Sequence, residues 1–243
     1  MSIGRPLILA VETASPCSSV ALVEGDVHDG ELLAELRLNA KVTHSRRLLG
    51  AIDYLLGGND LSFADIDGLA VGLGPGSFTG LRIGMATMKG LATATEKPLL
   101  GVSTLDGVAL NCSGEKPLCV ILDARKKELY RRWYQSDENG LYRGHGEIAA
   151  LSADALVAEV EEASLLAGDG LASYGDYLCE QLGQKITLAP RLVGYPSAAS
   201  LGLLAAERLR AGDVLDLESA APLYVRASDA ELSLLKKEEQ GRK

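Results

Sequence analysis

A chain of 243 residues, 47% hydrophobic but only 5% aromatic, can bury a sizeable core built mainly from Leu, Val, Ile and Ala, as one large domain or two lobes. Its 24 basic and 33 acidic residues give a net charge of −9, the wrong sign for a protein that grips nucleic acid unaided, because phosphate neutralisation supplies most of that affinity. Cys17, Cys112, Cys119 and Cys179 form no C-x-x-C pair and are expected as reduced, mostly buried thiols. The apolar run 7–11 is too short for a signal peptide and none reaches the ~20 residues of a spanning helix, so the expectation is cytoplasmic, with no membrane contact.

Residues 7–13 (LILAVET) are a continuous apolar run, the pattern of a central strand buried on both faces. Turn residues follow, then strands from Val20 and over 31–38, which predicts a meander. Thr43 is positioned to cap a helix over 44–56, on which Leu48, Leu49, Ile52, Leu55 and Leu56 fall on one side and Arg46, Gly50 and Asp53 on the other. A buried strand at 68–73, the turn GPGSFTG (74–80), a helix from about Thr79 to Thr95 and a short strand at 98–102 complete the first half. The second half predicts strands at 118–123, 128–134 and around 141–149. A helix at 152–162 capped by Ser152, a strand at 164–167, a helix at 171–182 and a helix from Ser197 to about Leu209 follow. Each half is a meander followed by alternating helices and strands, which argues for two α/β lobes and an ancient duplication.

The glycine-rich turn matches none of the well-known fingerprints. There is no Gly-Lys-Ser/Thr of a P-loop, Thr79 stands where a dinucleotide motif needs its last glycine, and Pro75 stands where a nucleophile elbow needs its first. Two readings stay open for it: a tight strand-to-helix connection using glycine's positive φ, or an anion site on the helix N-terminus. The helix behind it is apolar over about 220° of arc, from Gly80 round to Leu91, where one sheet face needs only ~100°. It therefore sits wholly inside the protein or serves two partners. Gly84 and Gly90 within it each cost ~1 kcal/mol against Ala, which close backbone approach would offset.

His28, His44 and His145 share no metal-ligand spacing. Glu12 and Asp123 are candidate acidic groups at strand C-termini, where α/β sheets bind ligands. Capping roles are equally open to them. The basic run Arg125, Lys126, Lys127, Arg131, Arg132 is either a patch facing RNA or a solvated strand face.

ILAVETASPCSSVAL near the start, THSRRLL at 43–49, AVGLGPGSFTGLRIGMATMKGLA at 70–92, GVSTLDGVA at 101–109, LDARKKELY at 122–130 and APLYVR at 221–226 resemble the TsaB (YeaZ) family in order and spacing. The resemblance implies two tandem ribonuclease H-like lobes of the actin/Hsp70/sugar-kinase fold. Its expected division is 1–103, 104–226 with the helix 197–209 packing back on the first lobe, and a charged tail at 227–243. It implies an accessory subunit with no catalytic, cofactor or metal residues of its own. That subunit would pair with the larger paralogue TsaD, or with itself when alone, and work with the ATPase TsaE in threonylcarbamoyl transfer to tRNA, touching tRNA only through the complex. The expected partner surface is His44, Leu48, Ile52 and Leu55 on one helix and Gly80, Ile83, Gly84, Met85, Thr87, Met88 and Leu91 on the other. The rival reading is an ATP-dependent phosphotransferase or a peptidase-like enzyme of the same superfamily. Glu12-Thr13-Ala14 speaks against the kinase, since it lacks the glycine that follows the first strand of active kinases. The missing histidine pair speaks against a metallopeptidase.

Overall fold

The computed structural model describes residues 4–39 and 45–226; Thr43, His44 and the tail 227–243 lie outside them. Strands β1 (Leu7–Glu12), β2 (Cys17–Glu24) and β3 (Glu31–Asn39) form an antiparallel meander, followed by helix α1 (Ser45–Gly58), strand β4 (Gly68–Gly74), helix α2 (Phe78–Thr95) and strand β5 (Leu99–Ser103). β4 and β5 join β1 in parallel, giving the order β3-β2-β1-β4-β5. A helix not foreseen in the sequence, α3 (Thr104–Leu110), leads to the second sheet. There β6 (Leu118–Arg125), β7 (Glu128–Ser136) and β8 (Tyr142–Ser152) are the meander. Helix α4 (Ala153–Glu159), strand β9 (Ser164–Ala167), helix α5 (Leu171–Leu182) and the short strand β10 (Ile186–Leu188), also unforeseen, complete it in the order β10-β9-β6-β7-β8. Counting strands within each half, both sheets run third, second, first, fourth, fifth. The duplication inferred from element order is thus repeated strand by strand, as two ribonuclease H-like lobes.

Alternation along β1 positions the layers. Ile8, Leu9, Ala10 and Val11 are all 0% exposed, because successive side chains point to opposite faces and both faces are covered. Leu9 and Val11 pack with Leu48, Ile52 and Leu55 of α1 and with Met85 and Met88 of α2. Ile8 and Ala10 pack with Leu201, Ala205 and Ala206 of the last helix, α6 (Ala198–Ala211). So α6, which follows the second sheet in sequence, covers the first. Its N-terminus is anchored there: Ser197 caps it, and Glu35 on β3 accepts hydrogen bonds from Ser19 Oγ (2.7 Å) and Ser197 Oγ (2.8 Å). The second sheet is covered on one face by α3, through Leu105 and Val108, and on the other by α4 and α5, through Leu156, Leu171 and Leu178. Each such fully buried Leu contributes roughly 1.5–3 kcal/mol by leaving water.

Beyond α6 the chain has no further helix or strand up to residue 226, yet it stays bound to both lobes. On the first lobe Leu215 N–H donates to Leu99 O on the β5 edge (2.8 Å), Lys89 Nζ to Ala220 O (3.2 Å) and Leu223 N–H to Leu73 O (2.8 Å), and on the second Arg226 bonds Glu128.

Candidate functional site

A cleft of about 760 Å³ opens between the lobes. On the first lobe it is lined by the β1–β2 turn (Ala14–Cys17) and the start of α2. On the second it is lined by the β6–β7 turn and the start of α5, and the segment Leu223–Arg226 lines it as well. This is the carboxyl end of the parallel strands, where α/β sheets place ligands.

Glu12, at the end of β1, does not reach it. Its side chain is fully buried, accepting Ala14 N–H at 2.6 Å and Thr104 Oγ–H at 2.7 Å. Burial raises its pKa, while the Ala14 and Thr104 hydrogen bonds pull the other way. The residue at 72 on β4 has to be glycine, since a Cβ there would overlap the Glu12 carboxylate.

The glycine-rich turn takes the tight-connection form. Ser77 caps α2 by accepting Gly80 N–H (3.3 Å), and its own N–H is spent on Ala14 O (2.6 Å). Thr13 Oγ donates to Gly80 O at 2.9 Å. A Cβ on Gly80 would overlap the Thr13 carbonyl oxygen, and one on Gly84 would overlap Thr13 Oγ1. The α2 backbone thus lies directly on the β1–β2 turn, and the Ser77 and Gly80 N–H groups are spent within the protein itself.

The charged wall of the cleft belongs to the second lobe. Asp123 Oδ1 accepts Arg125 N–H (2.7 Å), and its Oδ2 accepts Ser173 Oγ–H (3.3 Å). Asp169, which the sequence reading passed over, accepts Asp123 N–H at 3.1 Å. Burial, helped by the neighbouring Asp123 charge and opposed by that hydrogen bond and Arg125, pushes its carboxyl up to about 6. A signal for it existed: Gly168-Asp169-Gly170 directly follows the short apolar strand β9, as Asp123 follows the apolar run 118–122 within β6. Between Asp123 and Glu128 the turn holds Arg125, Lys126 and Lys127 at φ of 61°, 52° and 64°, a left-handed run built without glycine.

The five-residue basic run is not one patch. Consecutive residues of β7 point to opposite faces, so Arg131 pairs with Glu159 of α4 (2.7 Å) and Arg132 with Asp106 of α3 (2.7 Å). Only Arg125, Lys126 and Lys127 remain together on the surface. The cysteines need a smaller correction, because Cys179 is exposed on α5 while Cys119 is buried. Burial raises both the Cys119 and Cys112 thiols, the latter to about 11. Among the described residues no group of three His, Cys, Asp or Glu side chains is placed to hold a metal, and no helix is long and apolar enough to cross a membrane.

Most residues assigned to a partner surface face the chain's own interior. Leu48 is 3% exposed, Ile52 1%, Leu55 6%, Met85 4% and Met88 0%, all in the core beneath α1 and α2. Gly80 and Gly84 are buried against Thr13. Ile83, Thr87 and Leu91 are half-buried, and His44 lies outside the described residues. The wide apolar arc of α2 does serve several neighbours, but they are intramolecular: the sheet, α1 and the segment carrying Leu215, Leu217 and Ala220. Among the residues the two helices show to solvent are Leu49 (55%) and Tyr54 (71%) with Gly50 and Asp53 on α1, and Arg82, Ala86, Gly90 and Thr93 on α2. The last four lie in one row at helical spacing.

Two tandem five-stranded lobes meeting at a cleft, with a helix pair outside the first, define the class as the actin/Hsp70/sugar-kinase type of fold. The family model of TsaD, tRNA N6-adenosine threonylcarbamoyltransferase, matches residues 37–234. The tRNA threonylcarbamoyladenosine biosynthesis protein TsaB of Escherichia coli is 34% identical over 90% of this chain and 94% of its own length. That of Bacillus subtilis is 28% identical over 92% and 96%. Among solved structures, YeaZ from Pseudomonas aeruginosa superimposes with a TM-score of 0.70 at 29% identity, covering 90% of this chain and 99% of that one. A Pseudomonas aeruginosa protein described as similar to peptidase YEAZ gives 0.75 at 30% identity, over 91% and 100%. The chain belongs to the TsaB (YeaZ) family, within the wider group that includes TsaD.

Proposed function

We propose that this chain is a non-catalytic subunit of tRNA threonylcarbamoyladenosine synthesis, docking on a TsaD-type paralogue through the outer row of α1 and α2. The observation that carries the non-catalytic half is the fate of the β1–β2 turn. Its carboxylate, Glu12, is turned into the protein and bonded to Ala14 and Thr104, and Thr13 beside it is covered by the Gly80–Gly84 face of α2. That carboxylate is not left to hold a metal-bound phosphate. Support for the docking half comes from Leu49 and Tyr54 exposed beside the small residues Gly50, Ala86 and Gly90, a surface that another helix pair can approach closely. A complex with the ATPase TsaE, and contact with tRNA by way of the enzyme subunit, complete the reading. The net charge of −9 agrees with a subunit that leaves RNA binding to its partner. In a reconstituted reaction with a TsaD-type enzyme, TsaE, tRNA and the threonylcarbamoyl donor, omitting this chain abolishes modification, while the chain alone neither hydrolyses ATP nor modifies tRNA. ATP turnover by the lone chain that is lost in Glu12→Ala, with the variant still folded, would reverse the assignment.

A further inference from the structure

The segment 223–226 touches both lobes and lines the cleft, and each of its contacts is of a kind that can be released. On the first lobe Leu223 N–H donates to Leu73 O at 2.8 Å. The Tyr224 ring lies 5.2 Å from the Phe78 ring at 39°, and its hydroxyl accepts Arg82 Nε–H at 3.2 Å. The Arg82 guanidinium in turn lies 3.9 Å over Phe78. On the second lobe Val225 packs against the core below α3, and Arg226 bonds Glu128 at 2.6 Å. Leu223 and Tyr224 remain 41% and 43% exposed, so these two are laid over the cleft while Val225 is seated against the core of the second lobe.

We propose that residues 223–226 are a clasp holding the two lobes closed over the cleft, with Phe78, Arg82 and Tyr224 as its catch, and that the cleft opens when this segment lifts. Three features make it a clasp and not merely a packed tail. It bridges the lobes on the cleft side in addition to the two chain crossings, Ser103 to Thr104, where Thr104 is bonded to the buried Glu12, and 189–197, which leads back to α6. Its catch is one aromatic pair and one hydrogen-bonded cation, contacts that break individually without exposing a core. It lines the same cleft as Asp123, Arg125 and Asp169, the charged wall of the second lobe. Local openings of this kind cost far less than global unfolding.

The test is hydrogen–deuterium exchange on the full chain, comparing wild type with Tyr224→Ala and with Leu223→Pro, which removes the donor to Leu73. The readout is the pair of turns across the cleft, 13–17 and 169–174, neither of which has a hydrogen bond to the clasp. Exchange there should rise roughly ten-fold in both variants, the factor equivalent to about 1.4 kcal/mol. The amides of β1 and β6 should keep their wild-type rates. Tyr224→Phe, which keeps the ring pair, should stay within about two-fold of wild type. Unchanged exchange at both turns in Tyr224→Ala and Leu223→Pro overturns the proposal. So does equal acceleration of β1 and β6, which would make the segment part of the global fold. A Tyr224→Phe variant as open as Tyr224→Ala would remove the ring pair from the catch.

Discussion

Thr104 Oγ lies 2.7 Å from the Glu12 carboxylate, so the last residue of the first strand is bonded to the first residue of the helix that joins the two sheets. A carboxylate buried at this point without a cation is held by what donates to it. Replacing Glu12 by Ala leaves Ala14 N–H and Thr104 Oγ–H without their acceptor and opens a void. The expected loss is about 2–6 kcal/mol, at roughly 1–3 kcal/mol for each of the two stranded polar groups. Glu12→Gln keeps an acceptor for Ala14 and should stay within about 1 kcal/mol of wild type. Denaturant unfolding of the two variants measures both. Complex activity should follow stability alone, so Glu12→Gln modifies tRNA at the wild-type rate.

The glycines of α2 divide into two kinds. Gly80 and Gly84 face Thr13 at overlap distance for any Cβ, whereas nothing lies within 4 Å of a Cβ on Gly90. Gly80→Ala and Gly84→Ala should each destabilise the protein by about 1–3 kcal/mol through overpacking. Gly90→Ala should stabilise it by about 0.5–1 kcal/mol through helix propensity. A set of three melting curves checks the signs. A neutral Gly84→Ala would mean that α2 does not rest on the β1–β2 turn.

Asp169 gives stability a pH slope. Its carboxyl is pushed up to about 6 from the ordinary 3.8, so between those values the folded state holds a proton that the unfolded state has released. Stability therefore falls as pH rises from about 4 to 6, and the loss is complete above that window. Asp169→Asn keeps the acceptor for Asp123 N–H and removes the charge. It should be more stable than wild type by about 1–2 kcal/mol at pH 7 and equal to it near pH 3.5. Equal stability at both pH values would contradict the assigned burial.

Much of this architecture was legible because hydrophobic period and capping chemistry agree along the chain. The run at 7–12, the helix starts at Ser152 and Ser197 and the helix 171–182 all stand where their residues point. What escaped was short or depended on contacts between distant residues. The three residues of β10 and the seven of α3, with Gly107 inside it, carry too little periodic signal. The apolar arc of α2 left two readings open, a helix wholly inside the protein or one serving two partners. Sequence could not tell that residues 215–220, about 120 positions further on, supply the second neighbour. Nor could it show that Gly84 is crowded by Thr13, 71 positions earlier, and not by another subunit. Strand alternation alone could have split Arg131 from Arg132, had 128–136 been treated as a two-faced strand.

The most direct measurement is co-elution of this chain with a TsaD-type partner on size exclusion, wild type against Ala86→Arg and Tyr54→Glu. Both positions are exposed in the folded chain, so both variants should keep the wild-type melting temperature within a few degrees. A charge forced into a dry helix–helix contact costs roughly 3–5 kcal/mol, so both should lose the complex at micromolar concentration. tRNA modification should fall with it. Variants that fold, still co-elute and still support modification at the wild-type rate would contradict the claim that this chain works as a partner subunit through the outer face of α1 and α2.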